Sequence, residues 1–263
     1  MSINIGIEVK NLTKTYKVKN HFKKYSLMTA VDNISFTIPS GDIVGFIGAN
    51  GAGKSTTIKM MTGILTPDHG TISINGLNFE KNHRQIMLKI GVVFGQRSVL
   101  CWDIPVIESL KLFKDMYHIP EKTYKENMEI FSDILNLSEY IDKPPRLLSL
   151  GQRMRADLAA ALLHNPEILF LDEPTIGIDV LAKAKIRDFI REMNQERNTT
   201  IILTTHDISD IEALCSKMMI IDKGTLLYNG TLQELKNAER YQDTAMENNL
   251  ETIIKNIYEG DIL

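Results

Sequence analysis

Gly48-Ala49-Asn50-Gly51-Ala52-Gly53-Lys54-Ser55 lies between Ile43-Val44-Gly45-Phe46-Ile47, which is short, apolar and strand-like, and Thr56-Thr57-Ile58-Lys59-Met60-Met61, which has helical spacing. The octet fits the pattern G-x-x-x-x-G-K-[ST] in the strand–loop–helix setting where that pattern works. A strand that feeds a glycine-rich turn into a helix start aims backbone N–H groups and the positive end of the helix dipole at one point. A phosphate chain suits that point. Glycines let the backbone wrap closely, Lys54 can reach the outer phosphates, and the Ser55 hydroxyl can ligate Mg2+. The expected binding set is Gly48, Asn50, Gly51, Gly53, Lys54, Ser55 and Thr56. The stretch implies a nucleoside triphosphate site in an α/β chain.

Ile168-Leu169-Phe170-Leu171 is a continuous apolar run that ends in Asp172-Glu173-Pro174. Such a run suits a buried strand of a parallel sheet, and open α/β sheets bind ligands at the C-terminal ends of their strands. Alone, the two acids would read as solvated turn residues. Beside a phosphate loop, Asp172 is expected in the Mg2+ shell and Glu173 as general base toward the attacking water. Leu148-Ser149-Leu150-Gly151-Gln152-Arg153 opens an alanine- and leucine-rich segment that runs to His164, before Asn165-Pro166. Ser149 is placed as an N-cap, and the helix it starts should stop before Pro166. Its hydroxyl and the Gly151 N–H would make a second phosphate clamp. Set on a separate lobe, that clamp would serve a partner's phosphate loop rather than its own.

From Ile7 to about Gly230 the chain resembles the nucleotide-binding subunit of ATP-binding cassette (ABC) transporters, with seven motifs in the family's order. Tyr16 follows the first strand, and the phosphate loop is Gly48–Ser55. The glutamine loop, Phe94-Gly95-Gln96, follows a strand at Ile90–Phe94. The signature spans Leu148–Gln152, and the Walker B pair is Asp172-Glu173. The D-loop is Gly177-Ile178-Asp179, and the switch histidine His206 follows a strand at Thr200–Thr204. The resemblance implies that Tyr16 stacks on adenine and that Gln96 joins Mg2+ and the attacking water to the helical lobe. It implies that His206 contacts the γ-phosphate and orients Glu173, and that Ser149, Gly151 and Gln152 act on the partner's ATP. Asp179 would reach the partner's phosphate loop.

Two positions depart from the family pattern. Leu150 stands where glycine is usual, which removes positive-φ freedom and adds bulk, so altered packing is expected around a working site. Ile176 stands where a small residue is commoner. Both variants, with Gln96-Arg97-Ser98 running on to Trp102-Asp103-Ile104-Pro105, resemble a subgroup that serves separately encoded export-type permeases.

The composition suits a cytosolic catalytic subunit. The chain has 263 residues, 43% hydrophobic and 24% charged, enough for a full core plus a lobe. A net charge of −3 gives no general pull toward nucleic acid. No apolar run approaches membrane-spanning length and no leader-like opening is present, so a peripheral place at the cytoplasmic face of the membrane is expected. Cys101 and Cys215 lack metal spacing and read as reduced thiols.

The expected fold is a P-loop NTPase core with an N-terminal antiparallel β portion and an inserted α-helical lobe. The β portion covers Ile5–Val9, Ser35–Ile38 and Gly70–Ile74, and the lobe runs over about residues 98–165. One nucleotide-binding domain spans residues 1–230, and a short helical tail follows at residues 231–263. In that tail Leu250, Ile253, Ile254 and Ile257 form a helical stripe that needs cover, from the domain itself or from a second subunit. Lys10 to Ala30 holds six lysines and no acid. It reads as a solvated surface loop, or as one facing the anionic inner leaflet or a permease.

The expected activity is ATP hydrolysis by a head-to-tail pair around two ATP, with Mg2+, driving membrane permease subunits. The second copy is identical or a paralogous cassette. The alternatives are a soluble ABC ATPase acting on ribosomes or nucleic acid, and a P-loop kinase. The kinase reading leaves the signature and His206 unexplained.

Overall fold

A computed structural model describes residues 4–19, 25–95, 97–237 and 250–259. The chain divides into two compact units, residues 1–83 with 204–263, and residues 84–203.

The first unit opens with two long strands, β1 (Ile5–Lys19) and β2 (Tyr25–Pro39), paired antiparallel. β3 (Ile43–Gly48) follows, then α1 (Lys54–Met61), β4 (His69–Ile74) and the short β5 (Leu77–Asn78). An antiparallel sheet runs in the order β2-β1-β4-β5. Alternation puts Ile7, Val9, Leu12, Ile34, Phe36, Ile38, Ile72 and Ile74 in its buried face. Asn11 and Asn33 sit at positive φ beside shifts in the β1–β2 register, where asparagine tolerates the left-handed region. The expected β portion is present, but within Lys10–Ala30 residues 10–19 and 25–30 are strand and not loop. Through Lys19 and from Tyr25 on, it continues both strands as a hairpin, while residues 20–24 lie outside the described residues. The stretch has no glycine or proline to break a strand, and Val18, Tyr25, Thr29 and Val31 favour one. Lys14 is tied down: its ammonium bonds Asp68 at 2.8 Å, and Thr15 donates to the same carboxylate from N and Oγ1.

α2 (Phe79–Met87) leads into the second unit, which holds β6 (Ile90–Phe94), α3 (Val106–Met116), α4 (Glu121–Ile134) and α5 (Leu150–Leu162). It continues with β7 (Ile168–Asp172), α6 (Val180–Arg197) and β8 (Thr200–Thr204). β6 and β7 pair parallel, from Ile90 opposite Ile168 to Phe94 opposite Asp172, and β8 lies beside β7. Both β7 and β8 are buried along almost their whole length, which explains their unbroken apolar runs. The lobe helices follow the 3.6-residue spacing read from Val106 to Tyr117 and around Ile130–Leu135. Phe131 of α4 meets Phe189 of α6 edge to face at 5.7 Å. The Asn127 amide donates to the Leu163 carbonyl and accepts from Arg197, so α4, α5 and α6 are joined at one end.

The chain then returns to the first unit with α7 (Ile208–Leu214), β9 (Lys217–Asp222), β10 (Thr225–Thr231), α8 (Leu232–Asn237) and α9 (Leu250–Glu259). β9 lies parallel to β3, with Gly48 opposite Ile221, and forms an antiparallel hairpin with β10. Lys223 and Gly224 both take positive φ, the geometry of a type I′ turn. The tail stripe is covered by the chain itself: Leu250, Ile253, Ile254 and Ile257 are all buried. Burial also pushes the Tyr258 hydroxyl on α9 up to about 12.

Candidate functional site

In the first unit the phosphate loop grows from β3, which is buried over all six residues. Gly53 sits at φ 111°, and a Cβ there would lie 2.4 Å from the Ala30 carbonyl oxygen. A Cβ at Gly48 would meet the Ile221 carbonyl oxygen at 2.6 Å. Both glycines are therefore required by the strands packed behind the loop. The loop is also braced from outside its own sequence: Gly224 N donates to the Ala52 carbonyl at 2.9 Å, and the Gly224 carbonyl accepts from Asp32 N at 2.8 Å.

α1 begins at Lys54 with no side-chain cap and no acid in its first turn, which keeps its positive end available to an anion. Lys54 is buried, and its ammonium lies on the Gly48 and Ala49 carbonyls at 2.5 and 3.1 Å. Thr57 Oγ1 donates to the Gly53 carbonyl and steadies the helix start. Asn50, Gly51 and Ser55 are exposed, and Thr56 is half-buried. Tyr16 is half-buried on β1 opposite Met28. His206 is exposed in the turn after β8, and its two neighbours hold it. Thr205 Oγ1 donates to the buried Asp210 carboxylate at 3.1 Å and accepts from Asp207 N, and Asp207 caps α7.

In the second unit Asp172 ends β7, and Glu173 follows at φ 55°. A non-glycine residue in the left-handed region is costly and concentrates at functional turns. The glutamine loop begins against this pair. Gly95 N donates to the Asp172 carbonyl at 2.8 Å, and a Cβ on Gly95 would meet the Glu173 carbonyl oxygen at 2.4 Å. Gln96 lies outside the described residues.

Ser149 caps α5 as the sequence predicts, and the cap is reciprocal. Gln152 N donates to Ser149 Oγ at 3.2 Å, and Ser149 N donates to Gln152 Oε1 at 3.0 Å. The Gln152 carbonyl end is thus committed to its own helix. Leu150 is the first residue of that helix and takes no positive φ, so the usual glycine's freedom is not needed. The expected change in packing is local. Leu150 Cδ2 lies where a Cβ on Gly177 would come within 3.0 Å, so bulk at 150 is matched by its absence at 177. Gly151 faces Ile178 and Ala182, which brings the signature and the D-loop together. Asp179 is exposed, and its carboxylate caps α6 through Ala182 N at 2.9 Å. Ile176, at the other departure, is exposed beside Val180 and Leu181, which are 82% and 79% exposed.

Sequence reading missed Asp157. It is buried on α5 and accepts from Ser98 Oγ at 2.8 Å and from Val99 N at 2.9 Å. The signal was present: a lone acid in Ala156-Asp157-Leu158-Ala159-Ala160-Ala161 belongs on a buried face only if something there needs it.

Residues 31–176 match the ABC transporter family. NatA, an ABC transporter ATP-binding protein of Bacillus subtilis, is 32% identical over 220 residues, 84% of this chain and 89% of that protein. The bacitracin transport ATP-binding protein BcrA of Bacillus licheniformis is 36% identical over 218 residues, 83% of this chain and 70% of that one. A solved dimeric ATP-binding cassette, in a post-hydrolysis state bound to ADP and Pi, superposes with a TM-score of 0.76 at 26% identity. It covers 86% of this chain and 98% of that one. A solved ATP-binding subunit of an ABC transporter shares the fold over 98% of this chain and 100% of its own, with a TM-score of 0.83 at 24% identity. The chain belongs to the ABC transporter family, as an ATP-hydrolysing ATP-binding subunit.

Proposed function

We propose that two copies of this chain, or one copy and a paralogous cassette, close head-to-tail around two ATP. Each ATP then lies between one copy's Gly48–Thr56 loop and the other's Ser149, Gly151 and Gln152. The observation that carries this is the joined face of the second unit. Leu150 stands against Gly177 and Gly151 against Ile178 at the start of α5, directly after the capping Ser149, and the apolar side chains of Ile176, Val180 and Leu181 in the same stretch are left in solvent. An exposed apolar surface beside a phosphate clamp suits a second copy.

Within each site Tyr16 stacks on adenine, Lys54 meets the outer phosphates and Asp179 supports the partner's loop. Glu173 takes the proton of the attacking water, and His206 holds the γ-phosphate and Glu173 in register. The work is positioning and charge stabilisation rather than covalent chemistry. The Ser55 hydroxyl, the Asp172 carboxylate and Gln96 would hold Mg2+, which would supply positive charge against the phosphates. Among the described residues no three His, Cys, Asp or Glu side chains gather into a metal site. A hydroxyl with one carboxylate fits an ion that takes its other ligands from phosphate and water.

The helical lobe then moves separately encoded membrane permeases from the cytoplasmic face. Among the described residues no helix is long and apolar enough to cross a membrane. Export is the favoured direction, because relatives include a Nod factor export protein and a linearmycin resistance protein, although a methionine import protein also matches.

The shared site is tested by mixing variants. Ser149→Arg and Lys54→Ala each damage both sites of a homodimer, so each alone should be inactive. A mixed dimer carries both lesions in one site and leaves the other intact. Partial return of phosphate release on mixing is expected. No return, with subunit exchange shown by a labelled pull-down, would reject either the shared site or the sufficiency of one intact site, and ATP occupancy of the mixed dimer separates the two.

A further inference from the structure

The described residues on either side of Gln96 in the chain are each anchored. On one side Gly95 N is held by the Asp172 carbonyl at the end of β7. On the other side Ser98 Oγ and Val99 N both donate to Asp157 Oδ1 of α5, and Leu100 N donates to Ser98 Oγ at 3.2 Å. Three consecutive residues after the glutamine loop therefore converge on one carboxylate, directly or through a hydroxyl. Asp157 is 3% exposed and flanked on α5 by buried alanines and leucines. A carboxylate in that setting costs several kcal/mol in lost hydration, roughly, unless donors replace the water. Among the described residues its hydrogen bonds make it an anchor for this segment. Asp157 also lies eight residues from Ser149 along one unbroken helix, a rise of about 12 Å. The helix that ends in the signature thus carries the post for the glutamine loop.

We infer that Asp157 is a positioning residue for Gln96, fixing the glutamine loop to the signature helix so that both move as one piece. The inference rests on the proposed role of Gln96 at Mg2+ and the attacking water. Its bonds use one acceptor oxygen, so an amide can replace the carboxylate and an alkyl group cannot.

The test uses the purified full chain with Mg-ATP and the variants Asp157→Leu, Asp157→Asn, Gln96→Ala and the double variant Asp157→Leu/Gln96→Ala. Asp157→Leu should lower kcat about tenfold, the loss expected from one or two buried hydrogen bonds. Its KM for ATP should stay within about twofold, because the phosphate loop is untouched. The Mg2+ concentration needed for half-maximal rate should rise, and Asp157→Asn should restore both readouts. Coupling predicts that the double variant is no slower than Gln96→Ala alone. Independent, multiplying losses would overturn the positioning role while leaving Gln96 in the site. A Gln96→Ala variant with wild-type kcat and Mg2+ dependence would instead remove the reading beneath it. If Asp157→Leu fails to fold, Ser98→Ala removes one bond and the relay to Leu100, and a wild-type kcat and Mg2+ dependence there would also overturn the inference.

Discussion

Glu173 shows how much one backbone torsion matters. At φ 55° it leaves β7 by a sharp turn, with its carbonyl pressed against Gly95 and its side chain released from the strand's alternation. The proposed base is therefore aimed by the main chain, and its chemistry can be removed without disturbing that aim. Glu173→Gln keeps the shape but cannot accept the proton. ATP should still bind, phosphate release should fall by at least about a hundredfold, and an ATP-loaded dimer should accumulate on size-exclusion chromatography. Near-normal turnover would show that Glu173 is not the base. The identity of this residue was legible in sequence, since two acids at the end of an apolar run are conspicuous. Its left-handed turn was not, because no glycine marks it.

At the level of elements, the signature helix and the D-loop are fitted to one another. Leu150 departs from the family pattern, and sequence alone suggests altered packing around a working site. The structure answers with Gly177 opposite, at φ 67°, where a Cβ would press on Leu150 Cδ2 at 3.0 Å. Gly177→Ala should lower both ATPase rate and melting temperature, since it adds a 3.0 Å contact and about 1–2 kcal/mol of backbone cost. Leu150→Ala in the same chain should restore part of the loss by removing the contact, though not the torsion. Strictly additive effects, measured by phosphate release and thermal melting, would mean the two positions are not coupled. Pairings of this kind, like the post at Asp157, are illegible in a single sequence because they join residues far apart in the chain. Motifs that work through neighbouring residues, such as the N-cap at Ser149, were legible. The lysine-rich stretch misled for a related reason: charge suggested a loop, while the absence of breakers and the β-branched residues carried the strand.

Across the whole molecule, two buried groups pull stability in opposite directions with pH. Burial pushes the Asp157 carboxyl up to about 6, against the bonds from Ser98 and Val99. Burial pushes the His164 imidazole down to about 4, despite its bond to the Ile90 carbonyl. The raised acid pKa favours the fold fully below about 4, and that benefit is lost as pH rises through about 6. The lowered histidine pKa favours the fold fully above about 6.5, and that benefit is lost as pH falls through about 4. Between pH 4 and 6 the two slopes oppose, so wild-type stability should change little on their account. Asp157→Asn removes the falling slope, so its stability relative to wild type should increase from pH 4.5 to pH 7, by up to roughly 2 kcal/mol. Urea unfolding at those two pH values measures it, and an unchanged difference would reject the buried, proton-linked state of Asp157.

The turn at Lys223-Gly224 changes how damage to this protein is read. It carries no recognised motif and lies far from the glycine-rich octet in sequence, yet its one N–H and one carbonyl tie the octet to β2. Mechanically, residue 224 belongs to the nucleotide pocket. A genetic screen for chains that no longer retain ATP would therefore mark two separated stretches of the gene, one at the octet and one near its end. The second cluster would be mistaken for a regulatory region by anyone reading the sequence as a line.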